Sequence, residues 1–174
     1  KVNYVFHLAA LADIVPSIEE PKKYFDSNVV GTFNLLDNIN VKQIKKFIYI
    51  ASSTCYGVPK TYPTKENEVI DTKYPYALTK SIGEQLVMHW SKVYKLQALS
   101  LRLFNVFGTK SRTSGTYGAV FGVFLSQKLK NFPLTVVGDG KQMRDFTYVS
   151  DIVEAIILAA KSKKTNEVYN IASG

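Results

Sequence analysis

Cysteine is almost missing from this chain: Cys55 stands alone among 174 residues. A single thiol excludes an internal disulfide and suits a reducing cytoplasm. Long apolar runs are missing too. None approaches the ~20 residues that span a bilayer, and the most apolar helical stretch, "IVEAIILAA", is short and carries Glu154. No signal peptide is visible, and no aromatic-basic motif or recognition helix of the kind that grips nucleic acid stands out. The net charge is +8, but Lys22, Lys23, Lys42, Lys45, Lys46, Lys161, Lys163 and Lys164 are dispersed over helix ends and connections. That excess reads as solvated surface and is compatible with an anionic small-molecule substrate.

What is present is an ordinary globular composition, 46% hydrophobic and 21% charged, for which one domain is the default. "KVNYVFHLAA" starts as if inside a sheet, and "EVYNIASG" stops just after a strand-like run. The chain is therefore expected to be an internal piece of a larger protein.

Apolar, β-branched runs alternate with longer amphipathic segments. Strands are predicted at 3–10, 46–52, 97–105, 134–138, 145–149 and 167–172. Helices are predicted at 21–40, with Pro21 near the start, and at 75–95, 119–131 and 151–163, the last with Ser150 as its N-cap. The first three strands are near-continuous hydrophobic runs separated by connections long enough to hold helices. That pattern predicts a parallel α/β sheet with right-handed crossovers. Residues 57–74 and 106–118 are polar and rich in turn formers, the mark of functional or mobile loops.

Open parallel sheets bind ligands at the carboxyl ends of their strands. Three predicted strands end in "HLAA", "ASST" and "FN". Ala9 and Ala10 would let a flat ligand approach the backbone, Ser52, Ser53 and Thr54 present hydroxyls, and Asn105 presents an amide. Between them lies "KYPYALTK", in which Tyr76 and Lys80 stand four apart behind Pro75. The bare spacing says little in a chain with 11 tyrosines; Tyr56 and Lys60 share it, but Gly57 and Pro59 argue against a helix there. After Pro75, helical spacing continues through Ile82 and Leu86, so Tyr76 and Lys80 fall on one face. They are either a surface pair or a proton-transfer pair, in which a lysine cation lowers the pKa of a phenol and a strand-end serine hydrogen-bonds it.

The chain resembles the extended short-chain dehydrogenase/reductases, specifically the nucleotide-sugar epimerase/dehydratase family. The resemblance runs the full length in consistent order, through "HLAA", "NVVGTFNLLD", "ASSTCYG", "PYALTK", "LRLFNVFG", "GDGKQMRDFTYVSDIVEA" and "YNIASG". It implies an incomplete Rossmann-type doubly wound parallel sheet over residues 1–105, a substrate-binding lobe segment over 106–143, and a return to the sheet and the start of a C-terminal lobe over 144–174. By resemblance Tyr76 is the catalytic acid/base, Lys80 lowers its pKa and holds the nicotinamide ribose, and Ser52 is the catalytic hydroxyl, with Ser53 a candidate for the same role. Leu8, Ala9, Ala10, Asn28 and Phe104 match positions around the dinucleotide. Asn105, Ala119 and Val120 match positions touching the nucleotide-sugar, and Arg144 matches an arginine that pairs with its diphosphate. Plainer roles stay open: Asn105 as a loop cap, Arg144 as a surface ion pair with Asp145, His7 as a packing or hydrogen-bonding residue and Cys55 as a buried filler.

Departures narrow the subclass. The family's 4,6-dehydratases carry Asp and Glu after the catalytic threonine, and related decarboxylases tend to carry Glu at the second of these places; here Ser53 and Thr54 stand there. Neither is a carboxylate base, so dehydration and decarboxylation are disfavoured. Reversible oxidation at C4 needs only Ser, Tyr, Lys and a retained NAD. The expected activity of the intact protein is thus NAD-dependent 4-epimerisation of a nucleotide-diphosphate sugar, UDP-linked first, in a cytoplasmic homodimer joined through 21–40 and 75–95, with no metal, nucleic acid or membrane. Another nucleotide-sugar oxidoreductase of the same family, a 4-keto-sugar reductase or a 4,6-dehydratase, and a non-catalytic nucleotide-binding module are the alternatives. No G-x-x-G-x-x-G phosphate loop is found in these residues.

Overall fold

The computed structural model describes residues 1–110, 120–136 and 138–174. Four parallel strands make the main sheet: β1 (Tyr4–His7), β2 (Lys46–Ser52), β3 (Ala98–Leu103) and a final strand, β6 (Glu167–Ile171), in the order β1-β2-β3-β6. All seven residues of β2 are buried, as its unbroken apolar run requires. The register pairs His7 with Tyr49, Ser52 with Leu103 and Leu103 with Ile171. The carboxyl ends of the strands therefore share one edge, which brings "HLAA", "ASST" and "FN" together.

Helices cover both faces. Phe47, Tyr49 and Ala51 pack with Leu36, Ile44, Val87, Leu96 and Ala98 on one side; Ile48, Ile50, Leu99 and Leu101 pack with Ile156, Ala159 and Ala160 on the other. Each large apolar side chain sealed this way contributes about 1.5–3 kcal/mol. The architecture is a Rossmann-like doubly wound α/β sheet. Among the described residues no helix is long and apolar enough to cross a membrane.

The segment expected to be one helix at 21–40 is stepped. It runs as α1 (Ile14–Glu19), α2 (Pro21–Phe25), a π-helical turn at Asp26–Val30 and α3 (Gly31–Asn38). Pro21 does open α2, where its missing N–H costs nothing. The helix α4 spans Pro75–Tyr94, with Pro75 in its first turn and Lys95 closing it in the left-handed conformation at φ 63°. The run 97–105 splits at Phe104, whose N–H donates to the Ile171 carbonyl (3.2 Å), into β3 and a short β4 (Asn105–Phe107).

After α5 (Val120–Leu129) the expected strand at 134–138 is absent over its described residues 134–136. "LTVVG" has strand composition, but its Thr135 instead bonds the Gln127 side chain at the end of α5. The strand expected at 145–149 exists as β5 (Phe146–Tyr148) but pairs with β4 in a separate two-stranded sheet. Phe107, Phe121 and Phe146 cluster there, with Phe121 4.7 Å from each of the other two. β5 feeds directly into α6 (Val149–Lys161), so Tyr148 holds the cap position. Ser150 lies inside the first turn with its hydroxyl on Asp151 (3.1 Å) rather than capping.

The polar interior is organised by Arg102, which interrupts the apolar run of β3. Its guanidinium forks onto Glu84 of α4 (Nε to Oε2 3.0 Å, Nη2 to Oε1 2.5 Å) and donates to the Tyr56 hydroxyl (2.6 Å) and the Glu66 carbonyl (3.0 Å). Ser100 donates to the same carboxylate (2.8 Å), and Tyr56 donates to Asn170 of β6 (2.8 Å). Both charges are buried and fully bonded, which is what makes them tolerable. Arg102→Met should cost about 3–5 kcal/mol by urea unfolding, because it strands the Glu84 carboxylate. Arg102→Met combined with Glu84→Leu should recover most of that loss.

Candidate active site

Ser52 is the last residue of β2. Its hydroxyl lies 2.9 Å from that of Thr54 and accepts from the Thr54 N–H (3.3 Å), capping the short turn Ser53–Tyr56 that follows. Tyr76 enters from the first turn of α4 with its phenol beside the Ser52 hydroxyl. Its ring packs edge-on against Tyr24 at 6.5 Å, and the Tyr24 hydroxyl donates to the Ala12 carbonyl. Strand end and helix start thus present two hydroxyls to each other.

Lys80, one turn further along α4, is buried beside them, with its ammonium 4.6 Å from the centre of the Tyr49 ring. Burial drops its pKa to about 8, against the pull of Glu84. A lowered phenol is expected from the sequence. The Tyr76 phenol instead stands above its ordinary value, because burial outweighs the Ser52 hydrogen bond and the Asp13 charge adds to the rise.

His7 ends β1 in a packing role. The Thr32 hydroxyl donates to the Asn28 carbonyl (2.6 Å), so it accepts from His7 Nε2–H (2.8 Å), and the ring rests 5.6 Å from that of Tyr49. Leu8 and Ala9 are exposed at the strand end and Ala10 is half-buried. Asn28 is sealed at 1% exposure. Its Oδ1 accepts from the Leu11 N–H (2.8 Å), and its Nδ2 donates to the Leu11 carbonyl (3.0 Å) and to Thr79 (3.1 Å). Thr79 in turn donates to the Tyr76 carbonyl (2.9 Å). Asn28 therefore fixes the loop after "HLAA" against α4, and its own polar atoms are engaged there.

The remaining predicted residues are more open. Phe104 is half-buried between β3 and β4; Asn105 is exposed and donates to the Asp145 carbonyl (2.9 Å), a loop-capping role. Arg144 is exposed and donates to its neighbour Met143 (2.7 Å), while Asp145 accepts from Ser173 and Gly174. Val120 begins α5 on the exposed side, and Ala119 lies outside the described residues. Ser53 is half-buried next to Ser52, and Cys55 is buried with its thiol pushed up to about 11, a filler as expected. A broad surface groove lined by Glu19, Glu20, Lys22, Lys23 and Asp26 includes none of Ser52, Tyr76 or Lys80.

Three site-supporting residues escape the sequence reading: Tyr49, Glu84 and Arg102. The signals were a charged residue inside an apolar strand and a carboxylate one turn beyond Lys80. The small strand-end residues and the paired hydroxyls fit a dinucleotide whose reactive ring must lie against backbone and beside a proton carrier. The model of the NAD dependent epimerase/dehydratase family matches residues 1–172. The chain belongs to that family, and its cofactor is NAD.

Family members with solved structures superpose closely. A UDP-N-acetylglucosamine 4-epimerase from Methanobrevibacter ruminantium, solved with UDP-N-acetylmuramic acid, gives a TM-score of 0.94 at 38% identity, covering 99% of this chain and 55% of that one. A UDP-glucuronic acid 4-epimerase from Bacillus cereus, solved with UDP-glucuronic acid and NAD, gives 0.88 at 32%, covering 99% and 55%. A UDP-N-acetyl-alpha-D-glucosaminuronate decarboxylase of Bacillus cytotoxicus is 36% identical over 180 residues, 98% of this chain and 54% of its own. The chain spans about half the length of the curated relatives it matches.

The buried imidazole supplies a pH test. Burial and the Lys80 charge push His7 down to about 4, whereas the unfolded chain binds that proton near 6.5. Its contribution to stability is full above pH 6.5 and is lost as the pH falls towards 4, by up to about 3 kcal/mol. Urea unfolding from pH 7 to 4 should show a shallower acid loss in His7→Gln than in the parent.

Proposed function

We propose that the intact protein epimerises a UDP-sugar at C4 through a transient 4-keto sugar. The observation that carries this reading is the convergence of Ser52, at the carboxyl end of β2, with Tyr76, in the first turn of α4, and with Lys80 buried one turn further along the same helix. Tyr76 exchanges the proton of the sugar 4-hydroxyl, and Ser52 holds that hydroxyl in line with the phenol. Lys80 places its ammonium on the same face of α4 as the phenol, to meet the phenolate charge as it develops, and reaches the nicotinamide ribose; Ser53 is the alternative hydroxyl beside Ser52. NAD, when bound, would supply reversible hydride acceptance at the sugar C4. Leu8, Ala9, Ala10 and Phe104 line the dinucleotide, and Asn28 acts through Leu11.

Ser53 and Thr54 favour epimerisation over dehydration or decarboxylation, since neither can serve as the carboxylate base that removes a carbon-bound proton. Asn105, Val120 and Arg144 are the side chains assigned to the nucleotide-sugar, with the Arg144 fork suited to its diphosphate, and Ala119 matches such a position by resemblance. This assignment takes 1–105 as dinucleotide domain, 106–143 as a substrate-lobe segment and 144–174 as the return to the sheet; β4 and β5, paired apart from the main sheet, stand at the two borders of that segment. The 38% identity to a UDP-N-acetylglucosamine 4-epimerase makes UDP-N-acetylhexosamine the first substrate to try and UDP-hexose the second. Exposed Phe25 and Phe33 near α3, with Leu78 and Tyr94 on α4, suit a homodimer interface.

The test uses the product of the intact gene with UDP-GlcNAc or UDP-glucose and no added NADH, followed by NMR of the sugar. Interconversion at C4 without net NADH change is expected, with Tyr76→Phe slower by at least about 10²-fold. Undiminished turnover in Tyr76→Phe would remove the assigned mechanism. A requirement for stoichiometric NADH would point to a reductase.

A further inference from the structure

We infer that Tyr49 is a positioning residue of this site, whose ring face seats the Lys80 ammonium. The inference rests on the reading of Tyr76 and Lys80 given above, and adds Tyr49 to it through contacts that mechanism does not use.

Tyr49 sits in the middle of β2 at 1% exposure, and Lys80 lies over its ring with the ammonium 4.6 Å from the centroid, well inside cation–π range. The same phenol donates to the backbone carbonyl of Lys80 (3.2 Å). One side chain thus grips the main chain of the lysine at one end and its charge across its face. A Cβ at position 83 would come within 2.2 Å of that hydroxyl oxygen and 3.0 Å of the carbon bearing it, so only glycine lets α4 approach the ring closely enough for both contacts. Burial holds the Tyr49 hydroxyl far above its ordinary range, so it remains a neutral donor.

The other charged and titratable neighbours leave this seat to the ring. Glu84, one turn along α4, is committed to Arg102 and Ser100 and acts on Lys80 only through space. His7 approaches from β1 as a neutral ring bonded to Thr32, and Tyr76 stands on the first turn of α4 with its phenol on Ser52. A lysine held by a carboxylate would have its charge masked. Held over a π face, it keeps its positive charge available to a neighbouring phenolate, at a fixed place. The ring also favours the protonated amine, opposing the burial that draws its pKa to about 8.

The test is a titration of the Lys80 side chain in the intact protein by ¹⁵N NMR with isotopically labelled lysine, the signal assigned by its loss in Lys80→Arg. Tyr49→Phe keeps the face and should leave the titration close to that of the parent. Mono-, di- and trifluorinated phenylalanines installed at position 49 keep the shape but progressively weaken the π face. The Lys80 midpoint should fall stepwise, by about one pH unit across the series. In the intact enzyme the alkaline limb of the pH–rate profile should move down with it, since turnover needs the protonated amine. A flat titration across the fluorinated series overturns the inference, as does a rate loss equal at every pH with no shift of the limb. Failure of the parent to epimerise any UDP-sugar would instead count against the proposed function, and the titration would still decide this inference.

Discussion

Glu84 and Arg102 meet in a part of the interior where neither charge would be stable alone. Their two-pronged contact ties α4 to the centre of the sheet, and the arginine extends the tie to Tyr56 and the Glu66 carbonyl. Tyr76 and Lys80 both ride on α4. The height of the phenol above the strand ends therefore depends on this anchor two turns away. Desolvating the pair is costly, and the Ser100 hydroxyl, the Tyr56 hydroxyl and the Glu66 carbonyl offset that cost by bonding the two charges. The arrangement favours a rigid helix start, which a proton-transfer site needs more than it needs extra stability.

Much of the sheet was legible because its cause is local. "KFIYIAS" and "ALSLRL" can only be strands buried on both faces, and "PYALTK" behind a proline can only start a helix. Their convergence on one edge then follows from parallel topology. The failures have nonlocal causes. "LTVVG" carries strand composition, but over the described residues 134–136 it forms no strand, and Thr135 finds its partner on α5. β5 reads as a strand of the main sheet until its pairing with β4 is seen. The helix α6 starts two residues early because β5 hands over to it without a loop.

The site was legible in its hydroxyls and its lysine but not in its electrostatics. Spacing predicts that an ammonium one turn away lowers the phenol's pKa. Burial is invisible in spacing, and in the folded chain it dominates both groups, raising Tyr76 and lowering Lys80. Arg102 could have been suspected, since a guanidinium in a mostly apolar buried strand needs an acid nearby. Which acid it was required the fold. Relatives of 4-epimerase and decarboxylase names resemble the chain about equally, so the proposed chemistry leans on the residues after Ser52 more than on overall likeness.

The amide of Asn28 has a consequence for the chemical durability of the molecule. Its oxygen faces a donor, the Leu11 N–H, and its nitrogen faces two acceptors, the Leu11 carbonyl and the Thr79 hydroxyl oxygen, whose proton is already given to Tyr76. Hydrolysis of that amide to an acid would preserve its outline while turning its nitrogen side from attraction to repulsion. A change of one mass unit in a sealed side chain would then loosen the turn bearing the phenol, with no atom of the reacting groups altered.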